Sequence, residues 1–523
     1  MCIVCSGRSP KTLMMLLVRS GRVASHILVE LSAQIEGDPR RSALPPNNGK
    51  LMTSFRTIAI ATALVTASAC TTTTTTKVDI MPSASGLAAI PVATGWLGDS
   101  RIGLARDTAL AAALTDIDPA RIRATDSALV SFGSRNTFSD TTSATHGIGA
   151  ARRWLHAQLQ QSSRECGGCL RVEYDAAVIQ VARHPQRASA KIVNVLAILP
   201  GRDTNRVVVI GGHYDSCICS VPPNGGVDST STAPGADDDG SGTSAVVELA
   251  RVVSHRYPKG LDATVIFVLH AAEEQGLLGA THLAQRLTAE GKHVVAGMTD
   301  DIIGNVVAEN GAVDSMSVRI FAQDPDSSGS RELGRYVWGL GALYMPLFEV
   351  VPVFRLDRIG RGGDHSPYIL AGWPGLRFTE RLENYKRQHL PTDDLSHVNF
   401  GYVAQVARLN AATVISLASA PASPDTVIAS RENAASGGQT WTLRWTPVAG
   451  ATSYEVLVRR STSPTWDHAV QVGSARSHQL DFQLDDGWAA VRAVGANGHR
   501  SLARTAGVAA RPAGATTGGR PGA

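Results

Sequence analysis

The chain is poor in aromatic residues: Phe, Trp and Tyr together make up 5% of its 523 positions. Most buried volume must therefore come from Val, Leu, Ile and Ala. Excess charge of one sign is also scarce, with a formal balance of +4 and Lys and Arg scattered along the chain. A nucleic-acid interface needs a basic stripe interleaved with aromatics, so that class is excluded. Cysteine is sparse, seven residues in all. At 43% hydrophobic and 18% charged, the composition excludes a fibrous or wholly disordered chain. The length calls for two or more folded units.

Residues 1–51 read poorly as a domain and look like an upstream extension, with translation expected to begin at Met52. From there Met52-Thr-Ser-Phe-Arg56 forms a short basic n-region, Ile58–Ala67 an apolar h-region, and Ala67-Ser-Ala-Cys70 follows. That is a secretory signal in form, too short to span a bilayer as a helix. Cys70 after small residues resembles the lipobox of bacterial lipoproteins, with Ala67 where that motif carries Leu. The expectation is an exported protein, in the periplasm, on the cell envelope through a lipid at Cys70, or secreted. Residues 71–100, including the Thr71–Thr76 run, would be a tether. The close pairs Cys166/Cys169 and Cys217/Cys219 suit disulfides in an oxidising compartment, local or cross-linked. A zinc site from all four is the lesser reading.

From about Ser127 a helical pattern begins, and Gly147-Ile-Gly-Ala-Ala-Arg-Arg-Trp-Leu continues at helical spacing. Val193–Leu199, Arg206–Ile210 and Ala263–His270 are apolar, largely β-branched strands of the doubly buried kind. Helices over Ser241–Ser254 and Gly279–Glu290 alternate with them. The pattern predicts an α/β domain over residues 101–418, with a mixed, mostly parallel central sheet between helical layers. Sites in such folds form at the carboxyl ends of strands. After a Pro-rich linker at Ala420–Asp425 the period switches to two in Thr440–Pro447, Ser453–Arg460 and Trp488–Val494. Residues 424–508 therefore read as a small β-sandwich, expected to fold alone and to be dispensable for chemistry. It resembles a fibronectin type III domain through Trp445-Thr-Pro, Tyr454-Glu-Val and Val491-Arg-Ala-Val. The Gly, Ala, Thr and Pro of residues 509–523 suggest a disordered tail.

Five strings carry the chemistry. Gly211-Gly-His-Tyr-Asp-Ser216, Pro234-Gly-Ala-Asp-Asp-Asp-Gly240, Ala271-Ala-Glu-Glu-Gln-Gly276 and Thr299-Asp-Asp-Ile-Ile-Gly-Asn305 come first, then Gln388-His-Leu-Pro-Thr-Asp-Asp-Leu395. Two His and several carboxylates on loops at one sheet edge suit Zn²⁺, which accepts both ligand types. A shared carboxylate can hold two such ions about 3.5–4 Å apart. One acidic loop alone is commonly a helix cap or a solvated turn; five in this order form a set.

These strings resemble the metallopeptidase family of bacterial secreted leucyl aminopeptidases, glutamate carboxypeptidase and the transferrin receptor, from about Ala124 to Leu417. The resemblance implies a three-layer zinc-exopeptidase fold and two zinc ions. His213 would bind the first ion, with Asp215 orienting its ring. Asp238 would bridge both ions, with a cis peptide to Asp239. Glu273 would be the general base and Glu274 a ligand to the second ion. Asp301 would complete the first ion and His389 the second. Leu390 and Asp394 replace Thr residues of the family string, both beside the ligand. Asp364 and His365, in Gly362-Gly-Asp-His-Ser-Pro-Tyr368, match a segment that lines the substrate site. His255, His270 and His282 read as ordinary helix or strand residues, and His397 as a surface residue.

The activity expected is an aminopeptidase acting on peptide substrates. The alternatives are a carboxypeptidase or dipeptidase of the same family, a single-zinc acyltransferase resembling glutaminyl cyclase, and a non-catalytic binding protein. A carboxypeptidase needs a cation for the free substrate carboxylate, and Arg355, Arg358, Arg361, Arg377 and Arg381 are candidates.

Overall fold

The computed structural model describes residues 103–181, 189–219, 228–323, 329–356, 362–433 and 439–509. The expected leader, Cys70, residues 71–100, Arg358, Arg361 and residues 510–523 lie outside them. Among the described residues no helix is long and apolar enough to cross a membrane.

The chain opens with helices α1 (Thr108–Leu114), α2 (Pro119–Ser131) and α3 (Gly147–Glu165). Asp118 caps α2 by accepting from Ala120 N, and Pro119 stands in the first turn, where its missing N–H costs nothing. The helix thus begins eight residues before Ser127. Strands β1 (Arg171–Gln180), β2 (Ser189–Leu199) and β3 (Asp203–His213) follow, then α4 (Gly242–Arg256), β4 (Ala263–His270), α5 (Leu278–Ala289) and β5 (His293–Asp300). The domain closes with β6 (Ser317–Phe321), α6 (Gly329–Tyr344), β7 (Glu349–Val353), α7 (Ser366–Leu370), β8 (Gly375–Glu380) and α8 (Phe400–Ser419).

The eight strands form one mixed sheet in the order β1-β2-β4-β3-β5-β8-β6-β7. β3 runs parallel to both β4 and β5, and β5 parallel to β8. Val208 and Ile210 of β3 face a core shared with α1, α2, α3, α4, α6 and α8. Their neighbours Val207 and Val209 face a second core with α5 and Tyr368 of α7. Both faces are covered, which is why the strand is apolar without alternation. This is the three-layer α/β/α arrangement expected.

The C-terminal region is a β-sandwich of two four-stranded sheets. Its strands are β9 (Val427–Asn433), β10 (Gln439–Trp445), β11 (Ala451–Arg460), β12 (His468–Gln471), β13 (Ser477–Leu480), β14 (Gly487–Gly495), β15 (Arg504–Thr505) and β16 (Gly507–Val508). It is docked firmly on the α/β domain. Leu502 is buried in the main core of that domain. Trp466 Nε1 donates to Glu332 Oε2 at 3.0 Å, and Arg335 Nε donates to Pro464 O at 2.9 Å. Tyr336 Oη donates to Arg500 O, and Asn497 Nδ2 to Ser419 O. A chain ending at Ser419 loses all of these. Removing the Leu502 side chain alone should cost about 2–5 kcal/mol. The truncated protein is therefore expected to melt well below the full chain, which thermal unfolding followed by circular dichroism would read.

Candidate metal centre

The strand order places the ends of β3, β4, β5 and β8 side by side, and the register aligns them. His213 pairs with His270 across β3 and β4, Gly211 with Thr299 across β3 and β5, and Asp300 with Phe378 across β5 and β8. His213 is the last residue of β3. Glu273 and Glu274 follow the end of β4, and Asp301 follows the end of β5. The two glycines before His213 are dictated by crowding. A Cβ at Gly211 would meet the His270 ring at 2.9 Å, and one at Gly212 would meet the backbone of Gly242 at 2.7 Å. Helix α4 and its preceding acidic turn can thus lie directly against β3.

Asp238 occupies the centre. Its Oδ1 is 3.1 Å from His213 Nε2 and its Oδ2 is 3.0 Å from His389 Nε2. Ligand atoms of His213, Asp238 and Asp301 lie within 4.8 Å of one another. On the other side His389 Nε2 is 3.3 Å from Glu274 Oε2. The structure therefore brings together all five expected ligands, and the Asp238–Asp239 peptide is cis. His213 Nδ1 lies 3.1 Å from Asp215 O. A carbonyl can only accept, so Nδ1 carries a proton, which leaves Nε2 as the nitrogen available to a ligand at the centre.

Asp215 differs in detail from the expectation. Its backbone carbonyl orients the His213 ring, since its carboxylate is 3.7 Å from Nδ1. The carboxylate instead accepts from Glu273 N at 3.2 Å and Glu274 N at 3.3 Å, fixing the turn that carries both glutamates. Non-glycine residues with positive φ cluster here: Ala272 at 61°, Ile302 at 54° and His389 at 58°. Ile302 adjoins the candidate ligand Asp301, His389 is itself one, and Ala272 adjoins the candidate base Glu273. Such conformations cost of order 1–3 kcal/mol and persist where the surroundings over-determine them.

The electrostatics favour a cation. Burial works against protonation of His389, but the hydrogen bond and charge of Asp238, with Glu274 and Glu273, outweigh it and push its pKa to about 10. His213 is likewise raised against burial, by Asp215 and Asp238. In the metal-free chain protons stand where a divalent cation fits. Glu274 Oε1 is buried without a hydrogen-bond partner, as expected of an atom reserved for a ligand outside the chain. The donor set of His and carboxylate fits Zn²⁺. Glu273 is raised to about 7, first by burial and then by Asp301, Asp238 and Asp215, against the pull of His213. Among the lesser candidates, Asp364 is buried with neither oxygen hydrogen-bonded, and the Gly363 backbone packs against Asp301 and Arg377. His365 is pressed down to about 3 by burial and by Arg377. His255 and His282 pair with Glu165 and Asp175, while His270 is buried behind His213.

A supporting network escaped the motif reading. Asp393 accepts from Asp237 N at 2.8 Å and Asp238 N at 3.0 Å, gripping the central turn from the His389 loop. Asp239 Oδ2 accepts from His213 N at 2.9 Å, and Asp237 Oδ1 from Gly304 N at 2.7 Å. Arg135, fully buried, donates to Tyr214 O, Pro234 O and Gly235 O. It thereby ties the β3 loop to the acidic turn. Asp393→Ala is expected to weaken zinc binding by about 10–100-fold, the usual cost of losing a residue that holds a ligand. A competition titration with a chromophoric chelator would measure it. Among the described residues the four cysteines form two local disulfides, Cys166–Cys169 and Cys217–Cys219. The first pair packs against Ser254 of α4, and the second lies beside Glu274.

Comparison with known proteins places the chain. Residues 194–414 match peptidase family M28. A probable zinc metalloprotease of Pyricularia oryzae is 37% identical over 76% of this chain and 84% of its own length. Another from Leptosphaeria maculans is 35% identical over 77% and 98%. Among solved structures, the LapA aminopeptidase of Legionella pneumophila is 25% identical, with TM-score 0.47 over 59% of this chain and 74% of that one. A glutaminyl cyclase of Porphyromonas gingivalis is 19% identical, with TM-score 0.45 over 57% and 97%. The chain belongs to peptidase family M28 and is a zinc metallopeptidase.

Proposed function

We propose that the chain is an aminopeptidase that hydrolyses the N-terminal bond of peptides with a pair of zinc ions. The observation that carries this reading is the central carboxylate. Asp238 turns one oxygen to His213 and the other to His389, which is the posture of a bridge between two cations. His213 and Asp301 would hold one ion, and Glu274 and His389 the other. Zinc bound there would supply Lewis acidity, polarising the scissile carbonyl and making water acidic near neutral pH.

The chain's own groups do the rest. Glu273 takes a proton from the attacking water and delivers it to the leaving amine. The Asp215 carboxylate holds the Glu273 backbone, so the base stays aimed while its neighbour Glu274 turns to His389, where it would hold an ion. Preference for a free amino terminus follows from charge. Asp364, buried beside Glu273 with neither oxygen hydrogen-bonded, offers an acidic group that suits an ammonium. A carboxypeptidase would need a cation there; among the described candidates Arg377 is buried, 3.1 Å from Asp301, and donates to Gly362 O. Arg355 and Arg381 are exposed.

The test is hydrolysis of a panel of aminoacyl-nitroanilides beside their N-acetylated forms and C-terminally blocked peptides. The expected result is cleavage of free-amine substrates, including those with a blocked carboxyl end. Cleavage confined to substrates with a free carboxylate would move the assignment to a carboxypeptidase.

A further inference from the structure

The Cys217–Cys219 disulfide lies within reach of a metal ligand set. Cys219 Sγ is 3.5 Å from Glu274 Oε2. Both Sγ atoms and the ligand atoms of Glu274 and His389 lie within 4.8 Å of one another. Cys217 is buried, whereas Cys219, whose sulfur is the one beside Glu274, is exposed, so the bond stays open to a reagent. As a disulfide the two sulfurs are neutral, weak donors. As thiolates they are the ligands zinc prefers among soft donors.

We propose that this disulfide is a redox gate on the zinc position of Glu274 and His389. Bridged, the sulfurs stand off and the position stays open to water or substrate; reduced, they take the place of the Asp238 oxygen and close a four-ligand set with Glu274 and His389. The proposal rests on the metal-centre reading above. It assigns a role to two residues that the peptidase chemistry leaves idle.

The chemistry balances. A dithiol reductant attacks the exposed Cys219 sulfur as thiolate and expels Cys217 as thiolate. The mixed disulfide resolves intramolecularly, freeing Cys219 and leaving the reductant as a cyclic disulfide. Two electrons pass to the chain. Binding zinc through both sulfurs then releases their protons to solvent. Structural zinc sites are closed four-ligand sets, whereas catalytic sites keep a position for water or substrate. The reduced centre belongs to the first kind, so peptide hydrolysis stops. Among the described residues the Cys166–Cys169 bridge at the end of α3 belongs to no such ligand set and serves as the internal control.

The test uses the full chain loaded with Co²⁺, compared before and after treatment with a trialkylphosphine, which takes up the oxygen of water as it reduces a disulfide. The expected result is a thiolate-to-cobalt charge-transfer absorption in the near ultraviolet, present only after reduction and erased by reoxidation. Cys166→Ser/Cys169→Ser should keep the band and Cys217→Ser/Cys219→Ser should lack it. Hydrolysis by the zinc-loaded chain should be lost on reduction and regained on reoxidation. Reduced protein with all thiols titrated, Co²⁺ bound and no such band would overturn the proposal. Failure of Co²⁺ to bind in either state would overturn it together with the metal-centre reading. A band without hydrolysis in any state would leave the gate standing and remove the peptidase reading.

Discussion

Glu273→Gln is expected to lower turnover by about 10²–10⁴-fold, the usual worth of a positioned proton-transfer group, while leaving zinc content unchanged. The side chain keeps its size and can still hydrogen-bond, but an amide cannot accept a proton from water. The residue holds no position in the ligand set. Its backbone N–H is gripped by Asp215 in either variant, so the turn carrying Glu274 stays in place. The pH profile gives a second reading. Buried and beside other carboxylates, Glu273 has a pKa of about 7 without metal, and bound cations lower it. The base must be ionised to act, so activity is lost as pH falls through that lowered value. The acid limb in the wild type should therefore lie below neutrality. Near-normal turnover in Glu273→Gln, measured with elemental analysis, would mean another group moves the proton.

Asp238→Ala should have the opposite signature. Metal occupancy should collapse and turnover with it, because both imidazoles lose the carboxylate between them. Removing one partner of a buried charged set leaves the others uncompensated. Without metal, His389 is raised chiefly by Asp238, and His213 by Asp215 and then Asp238. Their protonation should therefore shift downward in the variant, which titration of the imidazole resonances would follow. Full zinc content in Asp238→Ala would remove the bridging role. The two substitutions together separate a group that moves protons from one that holds metal.

Much of this was legible in the sequence, and physical reasons mark the boundary. Strands such as Arg206–Ile210 are doubly buried and announce themselves by composition. The ligands sit within a few residues of strand ends, as His213 and Asp301 do, so a string read along the chain already gives a place in the fold. Arg135 could not be found this way. It lies after α2, far along the chain from the centre, and carries no spacing that marks it. Asp393 stood inside the His389 string, and Asp237 and Asp239 flanked Asp238 in a triplet. Their carboxylates act on backbone N–H groups, an assignment that needs coordinates. The independence expected of the sandwich also needed three dimensions to test. Its period-two strands are visible, whereas Leu502 in the main core and Trp466 on Glu332 are contacts between distant segments. The Asp215 carboxylate illustrates the same limit: its motif was read, but its partners are the backbone of the next strand's loop.

The central claim is that hydrolysis depends on metal held at Asp238 by ligands on either side. The most direct measurement is exhaustive chelation followed by stepwise return of Zn²⁺, with metal per chain and aminoacyl-nitroanilide hydrolysis recorded at each step. The account predicts no activity in the metal-free chain and recovery that is complete at two zinc ions per chain. Full activity retained after chelation, with metal loss verified by elemental analysis, would contradict it.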